Sequence, residues 1–390
     1  MVSSRPSLNR SGVEVQGFAY LRYPRLRVLK GVAKLLGWIR LTIVKGTWVE
    51  IHPFSQKDSV AATSDPKLSI RPQKKPWTLE IPSLSGKPRI SELPAPAMVN
   101  RSLTTSRRLS DFWALTKPEV NFLILITTLA GFCLASADAG RSLSFFALFN
   151  TLLGTLLVAS GTATLNQYIE RDFDAKMRRT ARRPAASGRL EPKIVREFGI
   201  VLSMAGGIYL AVAAGSLASL IALLTLLSYL FVYTPLKRKT PLCVLVGAAP
   251  GAMPALIGSA AASGRLNLEA WLLYATVFLW QFPHFMAIAW MYCEDYDRAG
   301  YQVLPKARTR LPFVVLVTLL PLIALIPISL AQLSGRHAPV LYYVRLLLVL
   351  GFVYFGLDFV LRRSRKAARR LLAASIVFLP LLLALRVVLR

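Results

Sequence analysis

Residues 119–137, EVNFLILITTLAGFCLASA, form a stretch that is long and apolar enough to cross a lipid bilayer as one helix. Such a helix needs about 20 mainly apolar residues, because each residue advances an α-helix by only about 1.5 Å. Similar apolar runs follow at about 143–165, 197–214, 216–233, 242–262, 268–291, 311–331, 339–361 and 371–389. The sequence therefore predicts an all-α polytopic membrane protein with nine transmembrane helices.

The composition agrees with a membrane protein. Hydrophobic residues make up 54% of the 390 residues, and the mean hydropathy is +0.48. The 48 Lys and Arg residues outnumber the 19 Asp and Glu residues, which gives a formal net charge of +29. A basic excess can indicate nucleic acid, anionic lipid or phosphorylated substrates. Here the basic residues form clusters between apolar runs, which favours a lipid bilayer as the partner and argues against nucleic acid.

Charge in the connecting segments alternates along the chain. Basic links follow the second, fourth, sixth and eighth runs, at 171–196, 237–239, 298–310 and 362–370, whereas the other links are short and nearly uncharged. Positively charged loops stay on the cytoplasmic side of a membrane. We therefore expect the N-terminus and the basic loops in the cytoplasm, or in the matrix of an organelle, and the C-terminus outside.

The chain divides by composition into residues 1–100 and residues 101–390. We interpret the first part as a poorly ordered basic extension and the second as the nine-helix intramembrane domain. Alternatively, Met98 is the true translation start, and the residues before it come from a start codon assigned too far upstream. A mitochondrial targeting segment is another, but acids such as Glu14 and Glu50 are atypical of targeting peptides. A bacterial inner membrane is therefore preferred over the mitochondrial inner membrane.

An acidic and amide-rich stretch follows the second apolar run. Asn166, Glu170 and Asp174 recur every four residues, so on a helix they share one face, while Asp172 points elsewhere. Two carboxylates and an amide offer the hard oxygen ligands that Mg²⁺ accepts, usually together with substrate phosphates. The alternative is a solvated helix end whose acids only pair with neighbouring Arg and Lys residues.

Basic residues next to this stretch suit a phosphorylated ligand. Arg179 and Arg183 lie in the following loop, and Tyr233 and Lys237 end the fourth run on the same side of the membrane. Guanidinium groups match phosphate oxygens through paired hydrogen bonds, so a basic loop beside a magnesium site could bind a diphosphate. These residues could equally be topology signals, and Tyr233 an anchor at the membrane interface.

The sixth run contains an unusual polar segment. Gln281, Pro283 and His284 lie within the apolar sequence, and Asp295 belongs to an acidic group about ten residues later. A single histidine in an apolar helix is usually a packing residue. The nearby glutamine, helix-kinking proline and acids favour a functional role for His284.

Several motifs together resemble the protohaem IX farnesyltransferase family, a branch of the UbiA-type intramembrane prenyltransferases. The resemblance covers about residue 110 to the end. The motifs are Thr116-Lys117-Pro118, Asn166-x-x-x-Glu170-x-x-x-Asp174, Arg179-Thr180-x-Arg182-Arg183-Pro184, Tyr233-Thr234-x-x-Lys237-Arg238, Trp280-Gln281-Phe282-Pro283-His284-Phe285 and Glu294-Asp295-Tyr296. The Asn-Glu-Asp motif is shared across the superfamily, whereas the last two motifs are more specific to the haem branch.

The resemblance implies a function and a set of site residues. It implies a central cavity in the bundle, farnesyl diphosphate as donor, haem B as acceptor and haem O as product, with Mg²⁺ as cofactor and haem A synthase as a further partner. The implied residues are Asn166, Glu170 and Asp174 for catalysis and Mg²⁺, Lys176, Arg179, Arg183 and Lys237 for diphosphate, and Tyr233, Gln281, His284 and Asp295 for the acceptor.

Two alternatives to this function stay open. The first is a polyprenyltransferase that uses another acceptor, such as a quinone precursor. The second is a membrane transporter, since nine spans with one kinked, polar-interrupted helix also suit a substrate pathway. The second acidic segment, with Glu294, Asp295 and Asp297, lacks the four-residue acidic spacing of many superfamily members, so we assign it no metal.

Overall fold

The computed structural model describes residues 105–304, 311–330 and 338–388. These residues form helices and connecting turns. The helices are α1 (Thr105–Leu115), α2 (Pro118–Asp138), α3 (Phe145–Asp174), α4 (Pro192–Ala213), α5 (Ser216–Leu236), α6 (Cys243–Ser263), α7 (Leu268–Met291), α8 (Cys293–Ala299), α9 (Leu311–Leu330), α10 (Ala338–Arg362) and α11 (Arg365–Val388). The predicted N-terminal extension, including Met98, lies outside the described residues.

The prediction of an all-α protein with nine membrane-spanning helices is confirmed. Within the described part of the chain, nine helices are long and apolar enough to cross a membrane, and these are all the helices except α1 and α8. Three boundaries lie well outside the apolar runs. Helix α3 continues to Asp174, α4 already begins at Pro192, and α11 already begins at Arg365. Polar residues extend these helices because backbone hydrogen bonding continues after the apolar pattern has ended.

The spanning helices close into a ring. Each spanning helix contacts the next spanning helix along the chain. Because α8 does not span, α7 is followed by α9 in this order, and the last helix, α11, contacts the first one, α2. Helix α6 also packs against α2, and α7 against α11. Short links between antiparallel neighbours account for the sequential contacts, as in other helical bundles. Long-range pairing then brings the ends of distant segments together.

Small residues allow helix α6 to approach three neighbours closely. A Cβ atom on Gly247 would clash with the Tyr233 ring of α5, and one on Gly251 would clash with Gln281 of α7. A Cβ atom on Gly258 would clash with the Thr128 carbonyl oxygen of α2. Helices in membranes associate through such small-residue contacts because they gain little from the hydrophobic effect inside lipid. Gly247, Gly251 and Gly258 are therefore helix-packing residues.

One end of the bundle carries the basic connections, and we call it the basic end. It contains the loop at residues 175–191, the turn at 237–242 and the short helix α8. Helix α1 is tied to this end because Arg189 donates to Asp111 at 2.9 Å. The basic end is therefore built from segments that are distant in sequence.

Candidate functional site at the basic end

Three polar side chains line the last turns of α3. Asn166, Glu170 and Asp174 are all buried, with exposed fractions of 1%, 6% and 1%. The four-residue spacing puts them on one face of the helix, as the sequence predicted, while the Asp172 side chain is 74% exposed. Burial of two carboxylates is costly unless each has a partner. The solvated helix end considered from sequence does not describe these residues.

Each of these side chains contacts a cation from another part of the chain. Lys237, just after α5, pairs with Glu170 at 2.7 Å. Arg183, in the loop after α3, pairs with Asp174 at 2.8 Å. Lys117, just before α2, donates to the Asn166 Oδ1 atom at 3.1 Å. The structure therefore brings together Asn166, Glu170 and Asp174 with two of the predicted diphosphate ligands.

Lys117 received no role from sequence, although it lies in the Thr116-Lys117-Pro118 motif. Its backbone is left-handed, with φ of 50°, which costs about 1–2 kcal/mol for a residue other than glycine. Burial, and next the positive charge of Arg183, lower the pKa of Lys117 from 10.5 to about 7. Backbone strain together with a depressed lysine pKa is typical of functional sites.

Lys237 is enclosed by an acid and two aromatic rings. Its ammonium group lies 4.7 Å from the Tyr233 ring and 5.8 Å from the Tyr301 ring. Burial alone would lower the pKa of Lys237, but the Glu170 carboxylate together with Tyr233 and Tyr229 outweighs burial, and the pKa is raised well above its usual value. Lys237 therefore stays charged and is held towards Glu170. Tyr233, predicted as an acceptor-site residue, lies beside Lys237.

The end of α5 is shaped to present these residues. Its segment Ser228–Tyr233 is π-helical, a form that is often found at functional sites. The adjacent Thr234 hydroxyl donates to the Tyr229 carbonyl at 2.9 Å and accepts a hydrogen bond from Asn166 Nδ2 at 3.2 Å. We call the surface formed by Asn166, Glu170 and Asp174 the acidic face. Thr234 is thus a second contact of the acidic face, after Lys117, to which the sequence assigned no role. The Tyr-Thr-x-x-Lys-Arg pattern was the available signal.

Tyr301 is the third residue that sequence reasoning left without a role. Its hydroxyl is buried and lies near the Glu170 carboxylate, but it makes no hydrogen bond of good geometry in the described part of the chain. Burial and the Glu170 carboxylate raise the pKa of the Tyr301 phenol, so it remains a proton donor. A buried donor without a partner is costly and is a suitable contact for a ligand oxygen.

The other predicted diphosphate ligands lie at the edge of this cluster. Arg179 is exposed, and its guanidinium carbon lies 4.5 Å from the Tyr292 ring centroid. The Arg179 backbone N–H donates to buried Asp295 at 3.4 Å, so the second acidic segment holds the Arg179 loop. Lys176 is exposed and lies over the Phe173 ring, 5.5 Å from its centroid. The structure does not bring Lys176 to the acidic face.

Gln281 and His284, predicted near the acceptor, lie deeper within α7 and face different neighbours. Gln281 donates to the Ala248 carbonyl of α6 at 2.9 Å and to the Val277 carbonyl at 3.2 Å. His284 contacts the Ser375 hydroxyl of α11 at 2.8 Å through Nδ1 and stacks on Trp280. Gln281 thus ties two helices together, while the hydrogen-bond and ring contacts of His284 among the described residues are with Ser375, Trp280 and Phe285.

The acidic face carries side chains whose chemistry bears on magnesium binding. Among the described residues, no three His, Cys, Asp or Glu side chains converge into a metal-binding group. Asn166, Glu170 and Asp174 supply two carboxylates and an amide. Mg²⁺ usually binds one or two protein carboxylates and completes its shell with water and substrate phosphates. The donor set fits a magnesium ion that is shared with a diphosphate.

Comparison with known proteins extends these observations. Residues 124–382 match the model of the UbiA prenyltransferase family. A protoheme IX farnesyltransferase from Solibacter usitatus is 46% identical over 285 residues, which are 70% of this chain and 96% of that protein. The enzyme of the same name from Aquifex aeolicus is 38% identical over 277 residues, covering 70% of this chain and 93% of its own length.

Solved structures share the fold at low sequence identity. A digeranylgeranylglyceryl phosphate synthase is 15% identical with a TM-score of 0.59, covering 72% of this chain and 98% of its own. A UbiA homologue from Archaeoglobus fulgidus, bound to GPP and Mg²⁺, is 14% identical with a TM-score of 0.50. The alignment covers 69% of this chain and 99% of the homologue. At these identities the similarity concerns the helical architecture.

Proposed function

Because the chain belongs to the UbiA prenyltransferase family, we propose that it transfers the farnesyl group of farnesyl diphosphate to a vinyl group of haem B. The products are haem O and diphosphate. The observation that carries this proposal is the buried cluster at the basic end, where Lys117, Arg183 and Lys237 contact Asn166, Asp174 and Glu170. The relatives named protoheme IX farnesyltransferase support haem B as the acceptor.

The cluster is suited to binding a diphosphate by exchange of partners. In this structure Lys237 pairs with the Glu170 carboxylate and Arg183 with the Asp174 carboxylate. When the substrate binds, these cations turn from the carboxylates to phosphate oxygens, and Lys117 and the Tyr301 hydroxyl add further donors. Asn166, Glu170 and Asp174 would then be free to hold Mg²⁺, which would supply positive charge beside the diphosphate.

The chemical step begins with cleavage of the bond between farnesyl C1 and the diphosphate oxygen. The cations bound to the phosphate oxygens stabilise the negative charge that develops on the leaving group. The vinyl group of the acceptor donates its electron pair to C1 and forms the new carbon–carbon bond. Water then adds to the resulting cation and loses a proton, which gives the hydroxyethylfarnesyl group. The predicted cavity inside the bundle would limit earlier capture of the allylic cation by water.

The remaining predictions concern the acceptor and the cell. Among the acceptor residues, His284 is retained as the candidate that orients or ligates haem. Gln281 has a packing role in addition, Asp295 holds the Arg179 loop, and Tyr233 lies beside Lys237. We place the protein in the inner membrane of a bacterium. Its basic end faces the cytoplasm, and its C-terminus lies outside. Haem A synthase stays a proposed partner that would receive the product.

An assay of purified full-length protein tests the proposal. The protein in lipid nanodiscs is supplied with Mg²⁺, farnesyl diphosphate and either haem B or an aromatic quinone precursor, and diphosphate release and product mass are measured. We expect haem O formed in equal amounts with diphosphate, and loss of both when the metal is chelated. A prenylated quinone precursor without haem O would identify the alternative enzyme. Movement of substrate across liposomes without diphosphate release would favour transport.

A further inference from the structure

The helix pair α7 and α11 contains a polar contact inside the apolar part of the bundle. His284 of α7 and Ser375 of α11 meet with 2.8 Å between His284 Nδ1 and the Ser375 hydroxyl oxygen. Ser375 is fully buried. The Trp280 indole N–H donates to the Ser375 backbone carbonyl at 2.8 Å, and its ring stacks on His284 with centroids 4.7 Å apart. Four-residue spacing puts Trp280 and His284 on one face of α7.

The Ser375 hydroxyl donates its proton to the backbone carbonyl of Leu372. The hydroxyl oxygen lies 2.6 Å from the Leu372 carbonyl oxygen, the distance of an O–H···O hydrogen bond in which serine donates. Two oxygen atoms this close without a proton between them would repel. A serine hydroxyl has one proton, so it can only accept from His284. The hydrogen on the imidazole must therefore lie on Nδ1.

With the hydrogen on Nδ1, the other imidazole nitrogen of His284, Nε2, carries no hydrogen. In the neutral ring one nitrogen carries hydrogen and the other has a lone pair. His284 Nε2 has no hydrogen bond among the described residues, and it is not among their fully buried polar atoms without a partner. Metal-binding histidines commonly have this arrangement, in which the second nitrogen donates to a neighbouring group that fixes the tautomer.

We propose that Ser375 is a positioning residue that holds His284 in the Nδ1–H tautomer, so that the Nε2 lone pair is available to coordinate the iron of a porphyrin acceptor. The porphyrin part rests on the proposed function. The tautomer follows from contacts within this chain alone. Trp280 assists by fixing both the Ser375 backbone and the plane of the imidazole ring.

The tautomer is tested without substrate by solid-state NMR of the full-length protein in lipid, with histidine labelled by ¹⁵N at Nδ1. The chain has three histidines, so His284→Gln identifies the resonance. We expect a protonated Nδ1 in the wild type, a shift towards the bare form in Ser375→Ala, and retention of the protonated form in Ser375→Thr. A bare Nδ1 in the wild type, or an unchanged resonance in Ser375→Ala, would overturn the proposal.

A titration with ferric haem B tests the second half. Soret absorption and electron paramagnetic resonance report coordination by imidazole, and we expect Ser375→Ala to weaken haem binding by about 10- to 100-fold, the usual effect of removing a partner of a metal ligand. Ser329→Ala is the matched control, because Ser329 is also fully buried but its hydroxyl has no partner among the described residues. It should change neither measurement. An altered tautomer with unchanged haem binding would refute coordination while leaving farnesyl transfer to be judged by the product assay.

Discussion

Two acidic segments meet at the basic end, and they are used differently. At the end of α3, Glu170 and Asp174 are buried and bind cations from other segments, Lys237 and Arg183. At α8, Asp295 is buried but pairs with Arg298 of its own helix, as well as accepting from the Arg179 backbone. The remaining acids of α8 are exposed.

The acids of α3 and α8 differ in the free-energy cost of burying their charges. A buried carboxylate with its partner removed is destabilising by several kcal/mol, about 3–5 in typical cases, whereas an exposed ion pair contributes about 0–1 kcal/mol. The α3 acids therefore need partners of opposite charge, and the fold supplies Lys237 and Arg183. We infer that α3 provides the chemistry and that α8 supports a phosphate-binding loop.

The largest effect is expected for Asp174→Asn. The amide keeps the size of the side chain but removes the charge that pairs with Arg183 and helps to hold Mg²⁺. Loss of one such electrostatic contact should lower kcat for diphosphate release by about 100-fold or more. Asp172→Asn is the control, since Asp172 is exposed on another face of the same turn. Equal activities of the two variants, with both folded, would remove α3 from the mechanism.

An intermediate effect is expected for Asp295→Asn. Its carboxylate accepts from the Arg179 N–H and pairs with Arg298, so the change loosens the loop that carries Arg179. We expect KM for farnesyl diphosphate to rise about 3- to 10-fold, equivalent to roughly 1 kcal/mol of binding, with kcat little changed. Steady-state kinetics separate the two constants, and exposed Asp297 provides the matched Asp297→Asn control. A fall in kcat as large as that of Asp174→Asn would make α8 a second catalytic segment.

The smallest effect is expected for Glu294→Gln. Glu294 pairs with Arg365 at 2.7 Å, but both side chains are about three-fifths exposed. Solvent and salt screen such a pair, so activity should stay within about twofold and the unfolding temperature within about 2 °C. Thermal unfolding in nanodiscs at low and high salt measures this. A large shift would mean that the α8–α11 contact stabilises the site.

The sequence predicted the fold well because the spanning helices follow from length and hydropathy alone. The first run, 119–137, differs from α2 by one residue at each end. The prediction was less accurate at α11, where helical hydrogen bonding includes the basic residues before the apolar run. Hydropathy describes contact with lipid and does not indicate where backbone hydrogen bonding ends.

The site was predicted in part. Periodicity correctly grouped Asn166, Glu170 and Asp174, because four-residue spacing fixes a shared helix face. Sequence could not identify Lys117 or Tyr301 as neighbours of that face, since each approaches it from a segment more than 40 residues away. Lys176 was predicted together with Arg183 as a diphosphate ligand, but the turn after α3 leaves Lys176 exposed.

Hydropathy and local helical period are enough to predict the number of spans, the family motifs and the acidic face of α3 from the amino-acid sequence. The partners of these residues depend on the folded chain, which brings Lys237 to Glu170, Arg183 to Asp174 and Ser375 to His284. Closure of the helical ring brings these segments together. The energy of a buried charge or hydrogen bond depends on that contact in space and on no local pattern of residues.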